Sequence, residues 1–424
     1  MNSFFSKLSI LFTDKALRNR VLFLFGALFV FRVLAAIPIP GVNAAELSVL
    51  FNNSQFLGLL NLFSGGGLSN LSIVLLGVGP YITASIIMQL LTLLVPRFKE
   101  LYQEEGEAGR QRFSQYSRLL AFPIALVQGS GFLLLLEKQS IVASLTPFQF
   151  LTNLLVITAG SILLMWLGEL ISEFGIGNGV SLIIFAGIVA RLPQAANQAL
   201  FSFDATQLPA YLAFLAAALL VVAAVVFVTE AERAVPVTYA KRVRGLKVYG
   251  GASTYLPLRL NQAGVIPIIF ALSLLLLPQM LASFFAVSTT HPMLQHVAQG
   301  VLSFLQNLGF YGAAYFVLVF LFTYFYTAVT FDPNSIAENL QRNGAFIPGV
   351  RPGASTVEYL SNVITRITFV GALFLGVIAV LPIAMQGLTG IQSLTIGGTA
   401  LLIVVSVVLD LAQRINAQLS IREY

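Results

Sequence analysis

Residues 57–96 read LGLLNLFSGGGLSNLSIVLLGVGPYITASIIMQLLTLLVP. The second part, 72–96, carries no charge and is long enough to cross a bilayer, which takes about 20 apolar residues. The first part, 57–70, is nearly as apolar but far too short to span. Three glycines, Gly65 to Gly67, stand between the short run and the long one. The pair reads as a membrane helix preceded by a half-helix on a glycine hinge.

Working outward, the rest of the chain repeats the long run. It has 424 residues, 57% hydrophobic and 9% charged, with mean hydropathy +0.88. A soluble domain carries about 25% charged residues, so this surface must be covered by lipid. Apolar runs fall at 21–38, 72–96, 116–136, 150–170, 179–192, 209–229, 263–285, 308–331, 367–385 and 393–411. They predict an all-α polytopic protein with ten transmembrane helices. A barrel would show short alternating segments instead. The fifth run follows EFGIGNGVS, whose glycines at 175, 177 and 179 reverse the chain with almost no loop. The N-terminal charges and first run imitate a signal peptide. Arg32 and IPIPG at its end do not form a small-residue cleavage site, so the run reads as an uncleaved span.

Ten spans put both termini on one face. Of the 23 Lys and Arg, all but Lys138, Arg191 and the intramembrane Arg32 then fall on that face. This is the positive-inside pattern, and it predicts cytoplasmic termini at 1–20 and 412–424. The excess of basic residues is therefore a topology signal before it is a binding signal. Arg32, near the outer end of the first span, is expected to snorkel outward.

The predicted interior is nearly free of charge. Residues 72–96, 205–229, 260–331 and 367–409 hold no Asp, Glu, Lys or Arg. Ion-coupled carriers usually need acidic groups or histidines at membrane depth, although some coordinate Na⁺ with backbone carbonyls at broken helices. An apolar constriction instead suits a passive pore closed by dewetting. Catalysis finds no support. The chain has no cysteine, and its two histidines, at 291 and 296, stand outside the membrane runs. No glycine-rich phosphate loop, metal-ligand cluster or nucleophile–base pair is present, so no cofactor, metal or enzymatic activity is expected.

Two inside loops, 230–262 and 332–366, are long and mix basic residues with tyrosine, glycine and proline. Long ordered loops are usually functional. They read as a docking platform for a large cytoplasmic partner, with a short hairpin around KVYGG.

Seven motifs, in order along the chain, resemble the bacterial SecY family of protein-translocation channels. They are FRVLAAIPIPG (31–41), NLFSGG with LGVGPYITASIIMQLL (61–66, 76–91), EEGEAGRQRFSQYSR (104–118), MWLGELISEFGIGNGVSLIIFAGIV (165–189), NQAGVIPIIFA (261–271), NGAFIPGVRPG (343–353) and GGTALLIVVSVVLD (397–410). The resemblance implies two pseudo-symmetric halves, 21–192 and 209–411, around a central hourglass pore, with an external hinge at 193–208. It implies a protein-conducting channel with SecE and usually SecG as membrane subunits. SecA or a translating ribosome would dock on the cytoplasmic loops, in the latter case touching ribosomal RNA through phosphates only. Signal sequences and nascent chains would be the substrates, passing across the cytoplasmic (inner) membrane or leaving sideways into it.

The resemblance also assigns residues. The short run 57–70 falls at the family's plug, with Leu59, Leu60, Asn61, Leu62 and Phe63 on the helix and Gly65, Gly66 and Gly67 as hinge. The pore ring falls on Val78, Ile82, Ile184, Ile269 and Ile403, where Val78 is smaller than the family's usual isoleucine. The lateral gate falls on the polar side of span 2, at Thr83 and Gln89, facing Gln128 or span 7. Partner docking falls on Arg351 in GVRPG and on Arg242, Arg244 and Lys247. The family often has two adjacent basic residues where this chain has Leu246-Lys247.

Overall fold

A computed structural model describes residues 14–40, 61, 64–103, 105–138, 145–191, 193, 208–240, 242–244, 247–249, 253–288, 292–389 and 392–420. Its helices are α1 Lys15–Ala36, α2 Gly79–Leu94, α3 Pro96–Gln103, α4 Gly106–Lys138, α5 Pro147–Phe174, α6 Gly179–Val189, α7 Leu208–Glu230, α8 Ile266–Ser288, α9 Pro292–Gln306, α10 Leu308–Thr330, α11 Pro333–Arg342, α12 Ala354–Thr389 and α13 Gln392–Ser420. A helix answers each of the ten apolar runs. By length and composition α1, α4, α5, α8, α10, α12 and α13 are each able to cross a membrane, α2 forms a bent pair with α3, and α6 is a shorter apolar helix.

Their surfaces confirm the solvent. Phe29, Leu155, Trp166, Phe227, Leu321 and Phe369 are all more than half exposed. No Asp, Glu, Lys or Arg among the described residues is buried. A soluble protein buries most such side chains, and apolar faces this broad need lipid or protein cover.

The second run is not helical throughout. Residues 73–78 are turns, and α2 begins only at Gly79, with Pro80 in its first turn. Gly77 sits at φ 59°, outside helical space. Proline needs no N–H acceptor at the start of a helix, which makes it a natural first-turn residue there. Non-helical backbone survives at membrane depth only if protein satisfies its polar groups. Here the Ile39 N–H donates to the Leu71 carbonyl at 2.8 Å and the Ile73 N–H to the Ile37 carbonyl at 2.9 Å. The Ser161 hydroxyl, buried on α5, donates to the Gly77 carbonyl at 2.8 Å.

Packing divides the chain into two compact units. One comprises Met1–Phe214, Leu272–Tyr311 and Pro382–Tyr424; the other comprises Leu215–Ala271 and Gly312–Leu381. In the first unit α2 packs on α4 and α5, α1 on α5 and α6, and α13 on α6. Leu68, Leu71, Leu75, Phe132, Leu133 and Ile157 form one of its cores.

The EFGIGNG turn shows why α5 and α6 lie so close. Asn178 caps α6 by accepting the Ser181 N–H at 3.1 Å. The Ser172 hydroxyl accepts the Gly179 N–H at 2.8 Å. A Cβ on Gly179 would stand 1.9 Å from the Gly168 carbonyl oxygen, so the two helices touch backbone to backbone. Gly179→Ala should force them apart, costing about 1–3 kcal/mol as overpacking does. Thermal unfolding of the detergent-solubilised protein should show a lowered midpoint.

The second unit holds most of the long loops 230–262 and 332–366. β1 Glu232–Tyr239 pairs antiparallel with β4 Ser253–Arg259, placing Val235 opposite Leu256. On its other edge β1 pairs with β5 Ala345–Phe346, placing Thr238 opposite Phe346. The two loops that read as separate in sequence are thus one three-stranded sheet. Val235, Val237, Leu258, Ala345, Ile347 and Leu360 are buried beneath it. The hairpin expected around KVYGG is present as β2 Arg242–Arg244 paired with β3 Lys247–Tyr249.

Candidate functional site: constriction, gate and docking turn

Every one of the five ring positions is buried. Val78 caps α2 and Ile82 follows one turn later, its N–H donating to the Val78 carbonyl at 3.1 Å. Val78 and Ile184 are fully buried, and Ile82, Ile269 and Ile403 are at most 4% exposed. Ile184 sits midway along α6, which packs against α13, the helix carrying Ile403. None of the five points at lipid.

The gate candidates separate. Thr83 on α2 and Gln128 on α4 line one small cavity together with Ser273 on α8. Next to it runs an apolar groove of about 240 Å³ between α4 and α8, lined by Pro123, Val127, Gln128, Leu277, Met280 and Leu281. Ser273, which sequence reading passed over, is a buried hydroxyl without a hydrogen-bond partner among the described residues. Its lone position in the leucine run LSLLLL was the available signal. Gln89 lines neither space. Its side-chain oxygen is buried without a partner, while its carbonyl accepts the Thr92 hydroxyl at 2.6 Å.

Of the short run 57–70, Leu59, Leu60, Leu62 and Phe63 lie outside the described residues. Asn61 is buried and helical, and Gly65 and Gly66 have φ of 62° and 87°. Arg32 is part-exposed, and its Nη1 donates to the Gly65 carbonyl at 3.3 Å. The external segment 193–208 also falls almost wholly outside the described residues.

Arg351 is exposed on a turn between Gly349, φ 81°, and Gly353, φ 101°. The Thr356 hydroxyl on α12 donates to the Arg351 carbonyl at 2.9 Å and fixes the turn. Val350 packs on the core under the sheet. Across the β2–β3 hairpin, register pairs Arg244 with Lys247 and Arg242 with Tyr249, gathering the three basic positions at one tip.

Long apolar helices with exposed apolar faces, and a described core that holds no charged residue, define a polytopic membrane protein. Comparison narrows the class. The family model for SecY matches residues 72–412. A protein named protein translocase subunit SecY from Thermus thermophilus is 44% identical, with 100% of this chain and 97% of the relative covered. One of the same name from Mycobacterium bovis is 43% identical, with 96% of each covered. Among solved structures, one described as a protein-conducting channel aligns with TM-score 0.65 at 19% identity, over 96% of this chain and 93% of the other. Another, which concerns the plug domain of the SecY protein, aligns with TM-score 0.68 at 20% identity over the same shares. The chain belongs to the SecY family.

Proposed function

We propose that this protein is the channel through which unfolded secretory polypeptides cross the cytoplasmic membrane, with its termini on the cytoplasmic side. The observation that carries the proposal is the burial of Val78, Ile82, Ile184, Ile269 and Ile403 in a chain whose described core holds no charged residue. Branched aliphatic side chains close on one another without offering hydrogen bonds. Such a ring excludes hydrated ions by dewetting, yet any polypeptide sequence slides through it. The segment 57–70 serves as the plug of this channel, and the halves 21–192 and 209–411 part about the segment 193–208.

Hydrophobic segments leave through the α4–α8 groove, whose apolar lining suits a signal sequence. Thr83, Gln128 and Ser273 set its opening cost, since interhelical hydrogen bonds in membranes are worth about 0.6–2 kcal/mol. Gln128→Leu should therefore relax the demand for a strong signal sequence. Gln89→Leu, which removes an unpaired buried oxygen, should change it less. Export of a reporter with graded signal sequences measures both.

The joined sheet and Arg351 form the cytoplasmic dock for the SecA ATPase or the ribosome. Ribosomal contact through Arg242, Arg244 and Lys247 would be to phosphates, so it would weaken with salt. SecE and SecG cover part of the exposed apolar faces. Reconstituted vesicles test the whole reading: a preprotein and ATPase should give protected polypeptide in the lumen. Concentrative uptake of small solutes without them would contradict it.

A further inference from the structure

The three glycines before α2 look in sequence like a free swivel, but the structure ties them down. A Cβ on Gly187 of α6 would stand 2.0 Å from the Cα of Gly65. A Cβ on Gly65 itself would lie 2.4 Å from the tip of the Phe31 ring, which is fully buried on α1. The Gly65 carbonyl accepts from Arg32 Nη1. A Cβ on Gly66 would be 3.4 Å from the Arg191 Cδ and 3.7 Å from Arg32 Nη1, so two arginines flank that residue.

The segment is also knit internally. The Gly66 N–H donates to the Asn61 carbonyl at 3.0 Å. Asn61 Oδ1 accepts the Ser69 N–H and the Ser69 hydroxyl, each at 3.2 Å. Ser64 Oγ accepts the Leu68 N–H at 3.0 Å. Asn70 Nδ2 donates to the Ala35 carbonyl at 3.3 Å. Asn61 and Ser64 are themselves buried, where an unpaired polar group is costly.

From this we infer that Gly65 is a latch and not a loose joint. Arg32 holds its carbonyl, Gly187 and Phe31 form the seat it fits, and this seat must be vacated whenever the half-helix moves. Arg32 and Gly187 are positioning residues for the closed channel. Glycine is required at 187 because a Cβ there would strike the Gly65 backbone, and at 65 because a Cβ there would strike the Phe31 ring. Arginine is required at 32 because its long side chain reaches a carbonyl 33 positions away in sequence. The inference rests on the reading of 57–70 as a plug.

The test compares resting ion conductance of the reconstituted channel complex, in the full chain and in a chain lacking residues 57–67. Variants are Arg32→Gln, Arg32→Lys, Gly187→Ala and, as a control, Gly26→Ala, where an added Cβ meets nothing within 4 Å. In the full chain Arg32→Gln and Gly187→Ala should each raise resting conductance about tenfold, the scale expected for losing a hydrogen bond to a charged group. Arg32→Lys should return part of the seal, and Gly26→Ala should match the parent. In the deleted chain, which should leak by itself, neither Arg32→Gln nor Gly187→Ala should add anything. If the deletion leaks while both variants stay sealed, the latch is overturned and the plug reading survives. If their effects persist undiminished in the deleted chain, they act on the helix bundle and the latch is again overturned. If the deletion itself stays sealed, the plug reading falls with it.

Discussion

A channel carrying Ile82→Gly and Ile269→Gly together should pass small ions at rest, at least about tenfold above the parent, while still transporting preprotein. Both side chains are buried, so each substitution deletes aliphatic volume from the interior and not from a lipid contact. In an ordinary core such deletions cost about 2–5 kcal/mol and leave a cavity. At a constriction the cavity joins the aqueous funnels on either side, and water enters where it was excluded. Transport persists because a threaded polypeptide fills the widened opening itself. Simple unfolding would predict the reverse, with transport lost alongside the seal. Glycine on the lipid-facing Leu155, more than half exposed on α5, should leave resting conductance unchanged. Conductance in planar bilayers, together with preprotein protection in vesicles, reads both properties.

On the proposed docking role, Arg351→Glu should abolish ATPase-driven transport and leave the membrane fold intact. The residue is exposed on a turn whose glycines adopt positive φ and whose backbone is tied to α12 by Thr356. Its side chain supports no core, so reversing its charge should cost little stability. What it offers is a guanidinium with five donors in a fixed fork, presented from a rigid base. Arg351→Lys keeps the charge but loses the fork, and should retain only a small part of the transport rate. ATPase-driven translocation, measured beside channel abundance and thermal midpoint, separates lost docking from lost folding.

Much of this was legible in the sequence, and the parts that were not share a cause. Run length and the absence of charge located the spans because lipid imposes those demands residue by residue. Pairing of 232–239 with 345–346 left no such trace, since strand partners about a hundred positions apart leave no mark in either stretch alone. The turns at 73–78 were hidden within an apolar run because some of their hydrogen bonds are made with distant residues, Ile37 and Ser161. Gln89 and Gln128 are equally polar in sequence. Only packing distinguishes the one that lines the α4–α8 groove from the one that does not. The bond from Arg32 to the Gly65 carbonyl, 33 positions away, likewise left no mark in either stretch.

The most direct test of the central claim uses a property of the chain itself: it contains no cysteine. Single cysteines at 82, 184 and 403 can therefore be placed one at a time against a preprotein arrested midway, itself carrying one cysteine in the region held within the membrane. The account predicts that all three positions form disulfides with the arrested chain. A cysteine at lipid-facing position 155 should form none. Labelling of 82, 184 and 403 by a lipid-soluble maleimide, with no bond to the arrested chain at any of them, would contradict it.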